Sequence, residues 1–172
     1  MEYRGKMTSQ QILEKAKLIE IELAKLSQYD RKYFVISKNF KWYECFSGAI
    51  VGGVKKEKYV EPPRELWFNA IRHFLNMQLV ADYLAVVYGR YVPVAYNSFY
   101  RTEYWNSYGD NGGSPTSLHL TAEAGDTKPL RITLSMEKYQ LMIGHLCPDL
   151  NGFKKYGTFV HADMNKEFKI YP

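Results

Sequence analysis

Cysteine is scarce: Cys45 and Cys147 are the only two among 172 residues. Neither has a close partner, which excludes a cysteine-based zinc motif. One disulfide between them is open, but two buried free thiols are the favoured reading. No stretch approaches the roughly 18 apolar residues that a membrane span needs, so no insertion is expected. Met1 to Met7 is polar and no apolar run follows, which speaks against a signal peptide. The expectation is synthesis in the cytoplasm, with access to any target outside the cell only after release or delivery. There is no Arg-rich arm and no nucleic-acid motif, although the net charge is +5. Basic residues are scattered, apart from Lys55-Lys56 and Lys154-Lys155. The charge reads as ordinary solvation with mild help toward an anionic surface, and no nucleic-acid partner is expected. Gly52-Gly53 sits in no phosphate-loop pattern and carries no nucleotide meaning. Repeats and low-complexity tracts are missing too.

What is present suits a soluble globular chain, with 46% hydrophobic and 24% charged residues. The length fits one domain, or one domain with an appendage, and allows a real core. Tyrosine is abundant, at 15 residues beside 9 Phe and 3 Trp. These rings fit either a sugar- or peptide-binding surface or a core of large side chains. Thr8 to Gln11 reads as a capping box. Ile12, Ala16, Ile19, Leu23 and Leu26 then form one apolar stripe, predicting a helix over 9–27. This amphipathic helix belongs to an N-terminal extension, 1–34, packed on its own domain. The alternative is a homodimer contact along the same seam. Residues 29–63 read as irregular and aromatic. The longest helix is expected over 64–88, on the stripe Leu66, Ala70, Phe74, Met77, Ala81 and Leu84, with Gly89 as its stop. His73 lies beside this stripe and reads as a packed or surface residue, not a ligand. Strands are expected at 92–96, 130–134 and 158–164, and a helix at 136–146 capped by Ser135. Turn formers make 106–116 and 147–157 loops. Helices and strands do not alternate regularly, so the fold class is α+β, with a second unit at 35–172.

The chain has four histidines, and two of them lie near carboxylates. Asp126 follows His119 by seven residues, with Gly125 just before it. A glycine-flanked turn can fold the two back together. In the strand at 158–164, period-two geometry puts Phe159, His161 and Asp163 on one face and Val160, Ala162 and Met164 on the other. Two imidazoles and two carboxylates can hold a zinc ion and leave one carboxylate over. Glu123 alternates away from that side and is expected to be exposed.

The wording around these residues resembles a known family. Ser117-Leu118-His119-Leu120-Thr121-Ala122-Glu123-Ala124-Gly125-Asp126, followed by Phe159-Val160-His161-Ala162-Asp163, looks like the hedgehog-like zinc peptidases of bacterial and phage cell walls. These are D-Ala-D-Ala carboxypeptidases and murein endopeptidases. Ile36-Ser37-Lys38-Asn39-Phe40-Lys41-Trp42-Tyr43-Glu44 resembles the segment opening such domains. Val92-Pro93-Val94-Ala95-Tyr96-Asn97-Ser98-Phe99-Tyr100-Arg101-Thr102 resembles the strand leading into Ser-Gly-Tyr-Arg-Ser. The resemblance covers roughly residues 35 to 172.

It implies a small antiparallel sheet with flanking helices and zinc (Zn2+) held by His119, Asp126 and His161. The implied activity is hydrolysis of peptide bonds in peptidoglycan stem or cross-link peptides, as in a phage lysis enzyme. The alternative is a zinc-stabilised, non-catalytic wall-binding or virion module of the same fold. Many relatives carry Glu-x-x-His at the last ligand, where this chain has Thr158. That leaves Asp163 as the acid/base or the orienter of the water, the alternative being a hydrogen bond that positions a ligand. Tyr100-Arg101 matches the family's Tyr-Arg pair at the cleft, and the guanidinium suits a substrate carboxylate. Ser117 is expected to meet substrate or to cap the loop. The loop 104–116 is expected to border the cleft. Two departures stand out: Phe99 where Gly is usual, expected to alter the turn, and Ala122 for Gly, expected to matter less.

Overall fold

The computed structural model describes residues 7–108 and 113–170. Most of the polar N-terminal lead and part of the 106–116 loop therefore lie outside the described residues. Helix α1 (Ser9–Ala24) starts on a reciprocal cap: Gln11 N donates to Thr8 Oγ1 at 3.2 Å, and Thr8 N donates to Gln11 Oε1 at 2.9 Å. Ile12, Ala16 and Leu23 are fully buried, and α1 lies along the long central helix α3 (Trp67–Tyr88). That helix ends at Gly89, whose φ of +62° is left-handed and suits glycine. Buried residues surround most of α3, from Ala70 and Ile71 through Phe74 to Leu84. It is wedged between α1 and α5 (Met136–Leu146), with the main sheet beside it. Among the described residues no helix is long and apolar enough to cross a membrane.

The main sheet has five strands in the order β5-β6-β8-β7-β9. They are β5 (Val94–Ser98), β6 (Ala124–Pro129), β7 (Gly152–Lys155), β8 (Val160–Asp163) and β9 (Lys169–Ile170). All pairs are antiparallel except β7 with β9. A small antiparallel sheet with flanking helices, in an α+β chain, is the class the sequence implied.

Several local expectations need correction. Residues 29–63 are not irregular: they hold helix α2 (Gln28–Tyr33) and two hairpins, β1 (Val35–Ser37) with β2 (Phe40–Lys41), and β3 (Ser47–Val51) with β4 (Val54–Val60). The second hairpin turns on Gly52 and Gly53 at φ +56° and +78°, the two-glycine turn whose twist suits antiparallel strands. No strand covers 130–134; the strand is β6, one step earlier. Ala124–Pro129 lacks apolar alternation, and all but Thr127 of its residues are poor strand formers. Burial between β5 and β8 overrides that preference. Strand β7 likewise lies inside the supposed loop 147–157, and helix α4 (Glu103–Ser107) precedes the loop at the cleft.

Rings fill the space between α3 and the sheet. Phe74 stacks on Phe40 and Phe99, and Tyr96 meets all three edge-on at centroid distances of 4.9–5.4 Å. Burying each such side chain stabilises the fold by about 1.5–3 kcal/mol. The abundant aromatics are thus partly core. Cys45 and Cys147 are free and buried, with Sγ donating to the Trp42 and Asn76 carbonyls.

Candidate metal centre

Antiparallel register places Asp126 of β6 opposite His161 of β8, and His161 opposite Lys154 of β7. Ser98 of β5 continues the row beyond Asp126. Directly opposed residues share a face, so this row points four side chains to one side. His119 arrives from the turn before β6. The turn is closed by Glu123 N donating to Leu118 O at 2.9 Å, and its backbone is tied to Arg101, whose N donates to His119 O at 3.0 Å.

One ligand atom each from His119, Asp126 and His161 lies within 4.8 Å of the others. The tautomers follow from the partners. His119 Nδ1 lies 2.5 Å from the Phe99 carbonyl, which can only accept, so Nδ1 carries the hydrogen. Burial lowers the His119 pKa against the pull of Asp126, which favours the neutral ring. Nε2 is then bare, yet it faces Asp126 Oδ1 at 3.3 Å. A neutral Nε2 and a carboxylate oxygen this close together suit a cation between them. His161 presents Nδ1 to the same Oδ1 at 2.9 Å and Nε2 to Asp163 Oδ2 at 3.2 Å. Burial would lower the His161 pKa, but hydrogen bonds to the two carboxylates push it up to about 9. For Asp126, burial alone would raise the carboxyl, but His119 and His161 hold it well below the usual carboxylate range. Two imidazole nitrogens and one carboxylate oxygen are a zinc donor set, and this cluster fits one.

Arg101 completes Asp126: its Nη2 donates to Oδ2 at 2.9 Å and its Nε to Ser98 Oγ at 2.8 Å. Oδ1 therefore remains for a metal. Arg101, expected to grip a substrate carboxylate, bonds Asp126 and also lines the cavity. Tyr100 does not line that cavity; it lines a neighbouring one with Glu44, Lys55 and Lys58. Ser117 caps the turn, its Oγ accepting from His119 N at 3.4 Å, and also faces the cavity. Asp163 shares the cleft with His161. Its Oδ2 meets His161 and its Oδ1 accepts from Asn165 N at 3.0 Å. Gly152 lies opposite, and a Cβ there would sit 2.0 Å from Asp163 Oδ1, so only glycine leaves room for the carboxylate. Thr158 is exposed, and Glu123 is half-buried, holding the Thr121 hydroxyl.

The two departures from the family pattern exchange weight. Phe99 has no positive φ; its ring is buried in the aromatic cluster and its carbonyl orients His119. The left-handed residue is Ala122, at φ +55°, where a Cβ is costly. Sequence reading missed Lys154, Tyr156 and Lys169, which line the cavity of about 640 Å³ around the cluster. The alternation of Lys154 and Tyr156 was a usable signal, hidden because β7 was read as loop. His73 is a satisfied core histidine, fully buried on α3.

A family model described as Peptidase M15 matches residues 47–163. No curated protein and no solved structure matches the chain.

Proposed function

Because the chain belongs to the Peptidase M15 family, a zinc-dependent one, we propose that it is a zinc metallopeptidase cutting peptide bonds in peptidoglycan stem or cross-link peptides. The observation that carries this reading is the convergence of His119 Nε2 and His161 Nδ1 on one oxygen of buried Asp126. His119, Asp126 and His161 would hold the ion. When bound, zinc activates water near neutral pH and polarises a carbonyl.

The remaining chemistry falls to the chain's own groups. Arg101 neutralises the second oxygen of Asp126 and keeps that carboxylate in one orientation. Asp163 accepts the His161 Nε2 hydrogen, which fixes the ring with Nδ1 turned inward. Asp163 is also the one carboxylate besides Asp126 on the described cavity wall. It therefore takes the proton shed by the attacking water at Oδ2 and returns it to the leaving amine. Lys154, Lys169 and Arg101 on the wall favour a substrate bearing free carboxylates, as peptidoglycan stems do. Such a protein, made in the cytoplasm, would meet its wall substrate after release or delivery, as phage lysis enzymes do.

A second reading, a zinc-stabilised wall-binding or virion module without turnover, is favoured by one observation: the residue three before His161 is the exposed Thr158, not a carboxylate. The test is incubation with cross-linked peptidoglycan, with and without chelator and added zinc, and mass spectrometry of the released fragments. Zinc-dependent release of peptides or D-alanine is expected and names the bond. Zinc-loaded protein that releases nothing from several wall chemistries would overturn catalysis and leave the binding module. Asp163→Asn should keep stoichiometric zinc and lose turnover; full turnover in this variant would remove Asp163 as proton carrier.

A further inference from the structure

Beneath the cluster, on the side away from the cavity, one imidazole bonds the backbone beside His161, packs on Gly125 beside Asp126 and meets the ring of Phe99. His73 Nε2 lies 3.0 Å from the Ala162 carbonyl, between His161 and Asp163. A carbonyl can only accept, so Nε2 carries the hydrogen and Nδ1 is bare. The Tyr96 hydroxyl, 2.9 Å away, therefore donates to Nδ1 and locks that tautomer. Next to Asp126, Gly125 presents a bare Cα to the same ring. A Cβ there would lie 2.8 Å from His73 Cε1 and 2.6 Å from Tyr96 Cε1. On its third side the His73 ring meets Phe99 edge-on, with centroids 4.9 Å apart. The Phe99 carbonyl is the group that orients His119.

A fully buried polar ring is expensive unless both nitrogens are satisfied, and a hydrophobic side chain would fill the space among Phe74, Tyr96 and Phe99 equally well. What an apolar side chain cannot do is hold the Ala162 carbonyl. Where Ala162 sits along the pleat decides where His161 and Asp163 point. We propose that His73 is a positioning residue for the metal centre, holding β8 against β6 so that the ligands converge before any metal arrives. This inference rests on the zinc site argued above.

The test compares zinc dissociation constants, measured by competition with a chromogenic chelator, and visible spectra of the cobalt-loaded protein. The variants are wild type, His73→Leu, His73→Gln and Tyr96→Phe, with unfolding by urea recorded separately on the metal-free forms. His73→Leu should weaken zinc by about 10- to 100-fold and shift the cobalt bands. His73→Gln, which retains a donor for Ala162, should recover most of that loss. Tyr96→Phe, which removes only the tautomer lock, should fall between wild type and His73→Leu. A folded His73→Leu with wild-type affinity and spectrum would overturn the inference and leave His73 a core residue. If His73→Leu does not fold, an unchanged affinity and spectrum in Tyr96→Phe overturns it equally. Wild-type protein that fails to bind zinc would instead sink the metal reading itself.

Discussion

The two sides of the β6–β8 pair are built from the same few residues and behave as different materials. On the cavity side, Asp126, His161 and Asp163 line the cleft with His119. On the core side, Gly125 lies against His73 and Tyr96, and Ala162 bonds His73. Both sides hold buried imidazole; burial lowers His119 and His73 alike, and only His161, between two carboxylates, shifts upward. His161 is pushed up to about 9, because two carboxylates outweigh its burial. His73 is lowered to about 4, because burial dominates and its partners are neutral. A histidine's chemistry here is decided by what faces its nitrogens, not by depth alone. One side is arranged to accept a cation, and the other to exclude any charge.

The largest break in this contrast should come on the cavity side. Asp126→Asn removes the charge that both imidazoles address and should abolish stoichiometric zinc binding, read by metal analysis after dialysis. Retained zinc in that variant would mean the ligands are wrongly assigned. On the core side, Gly125→Ala drives a methyl into the rings of His73 and Tyr96 and should cost about 3 kcal/mol in urea unfolding.

A pH titration of stability sharpens the contrast further. Unfolded His73 titrates near 6.5 and folded His73 at about 4, so between those values the unfolded chain binds the extra proton. Its contribution is fully present above about pH 6.5, declines as pH falls, and is gone below about pH 4, a span of about 3 kcal/mol. The difference between metal-free wild type and His73→Gln, unfolded in urea at pH 4 to 7, should show this slope; a flat difference would mean that His73 is not held neutral. The smallest effect belongs to the turn that delivers His119. Ala122→Gly relieves a left-handed Cβ but loses a buried methyl, so it should move stability by less than about 1 kcal/mol in urea unfolding, with unchanged zinc affinity.

Much of this molecule was written in local pattern. The cap at Thr8, the apolar stripes of α1 and α3, the stop at Gly89 and the alternation through His161 all follow from steric and hydrophobic rules acting within a few residues. The cluster of His119, Asp126 and His161 was legible as a candidate for the same reason, from residue chemistry in a familiar order. Strand β6 was not: Gly125, Asp126, Lys128 and Pro129 have no strand preference, and only pairing on both sides makes them one. Packing also decided that Phe99 belongs to the core and not to a strained turn, and that Arg101 bonds Asp126. His73 was visible in sequence only as a histidine beside a helix stripe. Its place against Ala162, Gly125 and Phe99 joins positions 26 to 89 residues apart, and no local rule acts over that distance. Sequence by itself determined which chemistry was available, because donor atoms are intrinsic to residue type. Tertiary structure alone decided which atoms meet, because register and burial bring distant backbone into contact.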